Sequence, residues 1–100
     1  MLESDLEHMI LVVFGGHDSW SKEMKPKFPD VRFIDRTMLP NADLIRRAEI
    51  IWIQTNAIAH SHYYKIIDEV RKYGIPLRYF TYSGVGKCAE QIVHDDVSRI

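Results

Sequence analysis

Cysteine is nearly missing from this chain. Cys88 stands alone, so no internal disulfide can form, which suits a reducing cytoplasm. Long apolar runs are missing too, since no stretch approaches the roughly 20 residues needed to cross a bilayer. The first eight residues, Met1–His8, are acidic and contain no basic segment leading into an apolar one, so no signal peptide is expected. Strong charge of one sign is also lacking. The formal net charge is −1, with three acids in residues 1–8 and a body at 9–94 carrying +3. Such a body permits a nucleic-acid partner, but it is far from the basic bias of a dedicated duplex-DNA binder.

Two phosphate-binding fingerprints are absent as well. Gly15 and Gly16 are adjacent and no third glycine follows, so the pattern is not G-x-G-x-x-G. Gly84-Val85-Gly86-Lys87-Cys88 resembles the end of a P-loop, but Thr81 stands where its first glycine belongs and Cys88 where Ser or Thr belongs. A receiver domain is disfavoured because the apolar runs end in Phe14-Gly15 and Thr55-Asn56 rather than in an aspartate.

What the chain does have is a 46% hydrophobic composition over 100 residues, enough for one packed domain. Met9–Phe14 and Ile50–Ile53 are continuous apolar runs, the signature of strands buried on both faces of a parallel sheet. Val31–Ile34 and Leu77–Tyr82 are further strands, the last alternating and therefore at an edge. Between them lie predicted helices. One runs from Trp20 to about Lys25 and is stopped by Pro26 and Pro29. A second is capped by Asn41 and passes through Leu44, Ile45 and Ala48. A third has Tyr63, Ile66, Ile67 and Val70 on one face, with Ser61 as cap and Gly74 as stop. Ser83-Gly84 opens a last helix with Val85, Cys88, Ala89, Ile92 and Val93 inward.

The order βαβαβαβα with right-handed crossovers predicts a three-layer α/β/α domain, Rossmann-like and flavodoxin-like, with a four-stranded parallel sheet of order 2-1-3-4. Residues 1–8 are expected to be an acidic tail, 9–94 the domain, and 95–100 the end of the last helix or a tail. In this topology the ends of strands one and three flank one crevice.

That crevice holds the candidate ligand site. Gly15, Gly16, His17, Asp18 and Ser19 would offer a backbone nest, a helix start capped by Asp18 or Ser19, and side-chain donors for phosphate or carboxylate. Thr55, Asn56, His60 and His62 leave the other strand, and Ser83 with Lys87 sits at the rim. Each has a plainer reading as loop polarity or a cap, but the set is unusual. His17, His60 and His62 with Asp18 are an alternative metal-sensing set, although their spacing matches no strong metal signature, so no metal or cofactor is expected. Arg46 with Arg47, and Arg71 with Lys72, are the candidate RNA contacts.

Gly15-Gly16-His17, Thr55-Asn56 and His60 before an amphipathic helix, then Gly74-Ile75-Pro76 and an edge strand, together resemble the domain of unknown function 2325 family over residues 9–93. The resemblance implies a small cytoplasmic bacterial α/β domain with no established activity, and Gly15, Gly16, Asn56 and His60 match its pattern. Pro26, inside the first helix, departs from it.

The residues favour a binding domain for a nucleotide or RNA over an enzyme, because anion donors are present and a recognisable catalytic constellation is not. The rival readings are a phosphoester hydrolase or transferase using His17 and His60, and a protein-interaction module. The edge strand Leu77–Tyr82 and the aromatic helix Tyr63–Tyr73 offer surfaces for a homodimer.

Overall fold

A computed structural model of the protein describes residues 10–98, with side chains through residue 95. The expected acidic tail at 1–8, the start of the first strand at Met9 and the last two residues lie outside the described residues.

Strands β1 (Leu11–Gly15), β2 (Arg32–Ile34), β3 (Ile50–Gln54) and β4 (Leu77–Tyr79) form one sheet of order β2-β1-β3-β4. Every pairing is parallel. Helices α1 (Asp18–Met24), α2 (Ala42–Arg47), α3 (His60–Tyr73) and α4 (Val85–Ser98) connect and cover it. Single 3-10 turns follow α1 at Lys25–Lys27 and β3 at Thr55–Ala57.

Successive strand residues point to opposite faces, so the continuous apolar runs build two cores. Val12, Phe14, Ile51 and Ile53 face one layer, meeting Leu44 and Ile45 of α2 and Ile66 and Val70 of α3. Val13, Ile50 and Trp52 face the other, meeting Trp20 and Met24 of α1 and Cys88 and Ile92 of α4. Val12, Val13, Ile51 and Ile53 are wholly inaccessible, and each such side chain contributes roughly 1.5–3 kcal/mol by leaving water. Leu11, at the open end of β1, is only half-buried.

Local signals set the helix ends. Asn41 Oδ1 accepts from the N–H groups of Asp43 at 2.8 Å and Leu44 at 3.4 Å, capping α2 as its sequence predicts. Gly74 closes α3 in the left-handed conformation, φ 64°. The other caps differ from expectation. The α1 cap residue is His17 and that of α3 is Ala59, and neither helix start has a side-chain cap. Asp18 and Ser61 instead lie within the first turns. Pro26 sits at the start of the 3-10 turn, where a missing N–H costs nothing, and α1 has already ended.

Two further elements depart from the sequence expectation. Strand β4 stops at Tyr79 rather than Tyr82. Phe80 still donates its N–H to the Ile53 carbonyl, but the Thr81 N–H goes to the Gln91 side chain and the Tyr82 carbonyl accepts from Gln54 and Cys88. Those partners draw the chain off the sheet, and Phe80 stacks on Trp52 with ring centroids 4.7 Å apart. On α4, Val93 is exposed rather than inward. It lies about 100° round the helix from Ile92, past the side that Cys88 and Ile92 press onto the sheet.

Candidate functional site

The turn after β1 explains its own glycines. Gly15 and Gly16 have φ of 89° and 94°, where side chains are strained. A β-carbon on Gly15 would lie 2.5 Å from the Gln54 carbonyl oxygen, and one on Gly16 would lie 2.4 Å from the Trp20 ring. Bare backbone is therefore needed for the two loops to close together. The Gly16 N–H donates to the Ala57 carbonyl at 2.9 Å, joining the loops that leave β1 and β3. This corrects the expected nest in one respect: the Gly16 N–H is already taken and is not offered to a ligand.

Around that joint the sequence-predicted side chains separate into groups. His17, Asp18 and Ser19 are exposed at the start of α1, and Asp18 lies 3.8 Å from Arg36. Thr55 and Asn56 are exposed in the turn after β3, His60 is exposed in the first turn of α3, and His62 is half-buried. Thr55 and His60 line a cavity of about 190 Å³ with Ile58, Tyr63 and Tyr64. The Tyr63 and Tyr79 hydroxyls lie 3.0 Å apart, and Tyr64 packs edge-on against Tyr63 at 5.5 Å. The bond to Tyr63, with burial behind it, pushes Tyr79 up to about 12, so the Tyr79 phenol stays neutral near physiological pH. The tyrosines were outside the predicted site. Their signal lies in the sequence, since Tyr63 and Tyr64 stand in the first turn or so of the helix that His60 opens, but the i, i+3, i+4, i+7 pattern assigns Tyr63 to the core face.

Ser83 and Lys87 are exposed at the same end of the sheet but do not line that cavity; the Lys87 ammonium lies 5.7 Å from the Tyr82 ring. Gln54, the last residue of β3, is buried and fixes this rim. Its amide donates to the Tyr82 carbonyl at 3.1 Å and lies 3.5 Å from the Cys88 sulfur. Burial pushes the Cys88 thiol up from its ordinary value, so it is a packing residue rather than a nucleophile. Among the described residues no three metal-ligating side chains come together, which leaves the metal-sensing set without geometric support.

The candidate RNA contacts lie elsewhere. All strands are parallel, so each connecting helix runs back against them. Arg46 and Arg47 in the last turn of α2, and Arg71 and Lys72 in the last turn of α3, therefore sit at the end of the sheet opposite the crevice. There cations also complement the helix C-termini. Arg46 and Lys72 converge on the exposed Tyr73 ring, at 5.5 and 5.8 Å from its centroid, and Arg46 pairs with Asp43. Arg71 instead lines a groove with Tyr63 and Tyr79. At the β4 edge, Arg78 donates to the Leu77 carbonyl at 3.2 Å and pairs with Asp95 at 3.0 Å, which covers part of the edge.

Fold and crevice define a small flavodoxin-like α/β domain with polar side chains at its topological switch point. No family model, curated protein or solved structure matches the chain. Among the described residues no helix is long and apolar enough to cross a membrane.

Proposed function

We propose that the protein is a non-enzymatic binding domain for a phosphate-bearing ligand, a nucleotide or RNA, and that it belongs to the domain of unknown function 2325 family, a resemblance that carries no activity of its own. The observation that carries this reading is the cavity where Thr55 and His60 meet Tyr63 and Tyr64, beside a 14-residue helix whose first turn has no side-chain cap. Hydroxyl, imidazole and open helix N–H groups suit an anion, and the neighbouring rings suit a nucleobase. Binding is favoured over catalysis because, among the described residues, neither His17 nor His60 makes a hydrogen bond or ion pair to a carboxylate or hydroxyl that could form an acid–base pair with it. Calorimetric titration with ADP tests this: His60→Ala should weaken binding about tenfold, the worth of one hydrogen bond to a charged group. Equal affinities in the two proteins contradict the proposal.

RNA is the second reading, supported by the convergence of Arg46 and Lys72 on Tyr73. A cytoplasmic setting fits the single buried thiol. Exposed Tyr64, Tyr73 and Tyr79 along α3 and the β4 edge suit a homodimer, to be read from its mass in solution.

A further inference from the structure

A second, larger cavity of about 460 Å³ opens between α1 and the end of β2, and it has no lining residue in common with the first. Helix α1 supplies Lys22, the 3-10 turn after it supplies Lys25, and the β2 side supplies Phe33 and Asp35. Among the described residues neither lysine forms a salt bridge, whereas the other carboxylate of the cavity, Asp18, is matched by Arg36.

Asp35 is held ready. Its Oδ1 accepts from the Thr37 N–H at 2.8 Å and from the Thr37 hydroxyl at 2.7 Å. These two bonds fix the carboxylate in one orientation and leave Oδ2 without a partner among the described residues. They also hold its carboxyl below the ordinary range, with help from the Arg36 and Lys25 charges, so it remains an acceptor at neutral pH. Phosphate calls for adjacent ammonium groups, sugar hydroxyls for a fixed carboxylate, and the carbon face of a sugar for an apolar ring. All three lie around this one cavity. Asp35 also follows Gly15 by 20 residues and comes directly after β2. In dinucleotide-binding sheets an acidic side chain at that place reaches ribose hydroxyls, although there the phosphate rests on a G-x-G-x-x-G turn that this chain lacks, whereas here lysines stand beside the cavity.

We propose that this cavity binds a ribose phosphate, free or as part of a nucleotide, with Lys22 and Lys25 on the phosphate, Asp35 on the ribose hydroxyls and Phe33 against the sugar. Asp18 borders this cavity as well as the crevice, but the cavity at Thr55–Tyr64 shares no residue with it, so occupancy here is separable from occupancy there.

The test titrates the full chain with ribose 5-phosphate, 2-deoxyribose 5-phosphate and AMP, following backbone amide shifts and affinity. Ribose 5-phosphate should move the amides of Ser21–Lys25 and Phe33–Thr37 and leave Thr55–Tyr64 still. The 2-deoxy sugar should bind about tenfold more weakly, as should ribose 5-phosphate to Asp35→Asn. That variant keeps an Oδ1 for the Thr37 turn, and its amide spectrum checks the fold. Lys22→Ala with Lys25→Ala should weaken both sugars alike. Tighter binding of AMP at the same amides identifies a nucleotide as the source, and weaker binding identifies the free sugar phosphate. Still amides at Phe33–Thr37 with millimolar ribose 5-phosphate, or Asp35→Asn binding as well as the parent, overturns the proposal.

Discussion

Gly16 carries two constraints that can be separated by substitution. Its φ is 94°, and a β-carbon would press against the ring of buried Trp20. Gly74 has a φ of 64° but open space around it. Gly74→Ala should therefore cost only the left-handed strain, about 1 kcal/mol. Gly16→Ala adds displacement of a packed indole and should cost about 3 kcal/mol. Urea unfolding of both variants measures the difference, and equal losses would mean that Trp20 gives way freely. Tyr79 supports a prediction in pH. Its proton is held more tightly in the folded state than in the unfolded one, where it leaves near the ordinary value of 10.0. The stability it supplies is thus fully present below about pH 10 and disappears as pH rises toward about 12. Thermal melts across that range should show Tyr79→Phe less sensitive to pH than the parent, and parallel curves would contradict the bond to Tyr63.

Among the elements, Asn41 is a side-chain helix cap both legible in the sequence and present in the structure, and Asn41→Ala should lower stability by about 1 kcal/mol in the same urea series. The central strands were legible because uninterrupted apolar residues such as Val12-Val13-Phe14 and Ile50-Ile51-Trp52-Ile53 fit only a strand covered on both sides. Gly74 was legible as a stop because its role is local. What escaped was non-local. The end of β4 depends on Gln91 and Cys88 from α4 and on Gln54 from β3, none of which is near Tyr82 in the β-pattern of the chain. The same holds for the site. Two adjacent glycines announced a tight turn, but not that the Gly16 N–H would be claimed by Ala57 across the crevice. Asp18 and Ser61 are good cap residues by composition, yet each lies inside its helix, because the cap falls one residue before Asp18, at His17, and two before Ser61, at Ala59.

In the whole molecule, the candidate polar side chains are divided between the two ends of the sheet. His17, Thr55 and His60 lie where β1 and β3 end, and the Arg46–Lys72–Tyr73 cluster lies where the strands begin. One ligand of nucleotide size cannot use both, so the two readings make separate predictions. If RNA binds through the basic end, mobility shifts should weaken with salt at a log–log slope of roughly −0.7 per phosphate contact. Arg46→Ala with Arg47→Ala should then weaken all sequences alike. Affinity indifferent to salt would remove that reading. The central claim concerns the crevice, and titration of inorganic pyrophosphate into isotopically labelled protein, followed at the backbone amides, tests it most directly. Saturable shifts at His17–Ser19 and Thr55–His62, with Arg46, Arg47, Arg71 and Lys72 unmoved, are the predicted result. Shifts confined to those four basic residues, or none that saturate at millimolar pyrophosphate, would contradict it.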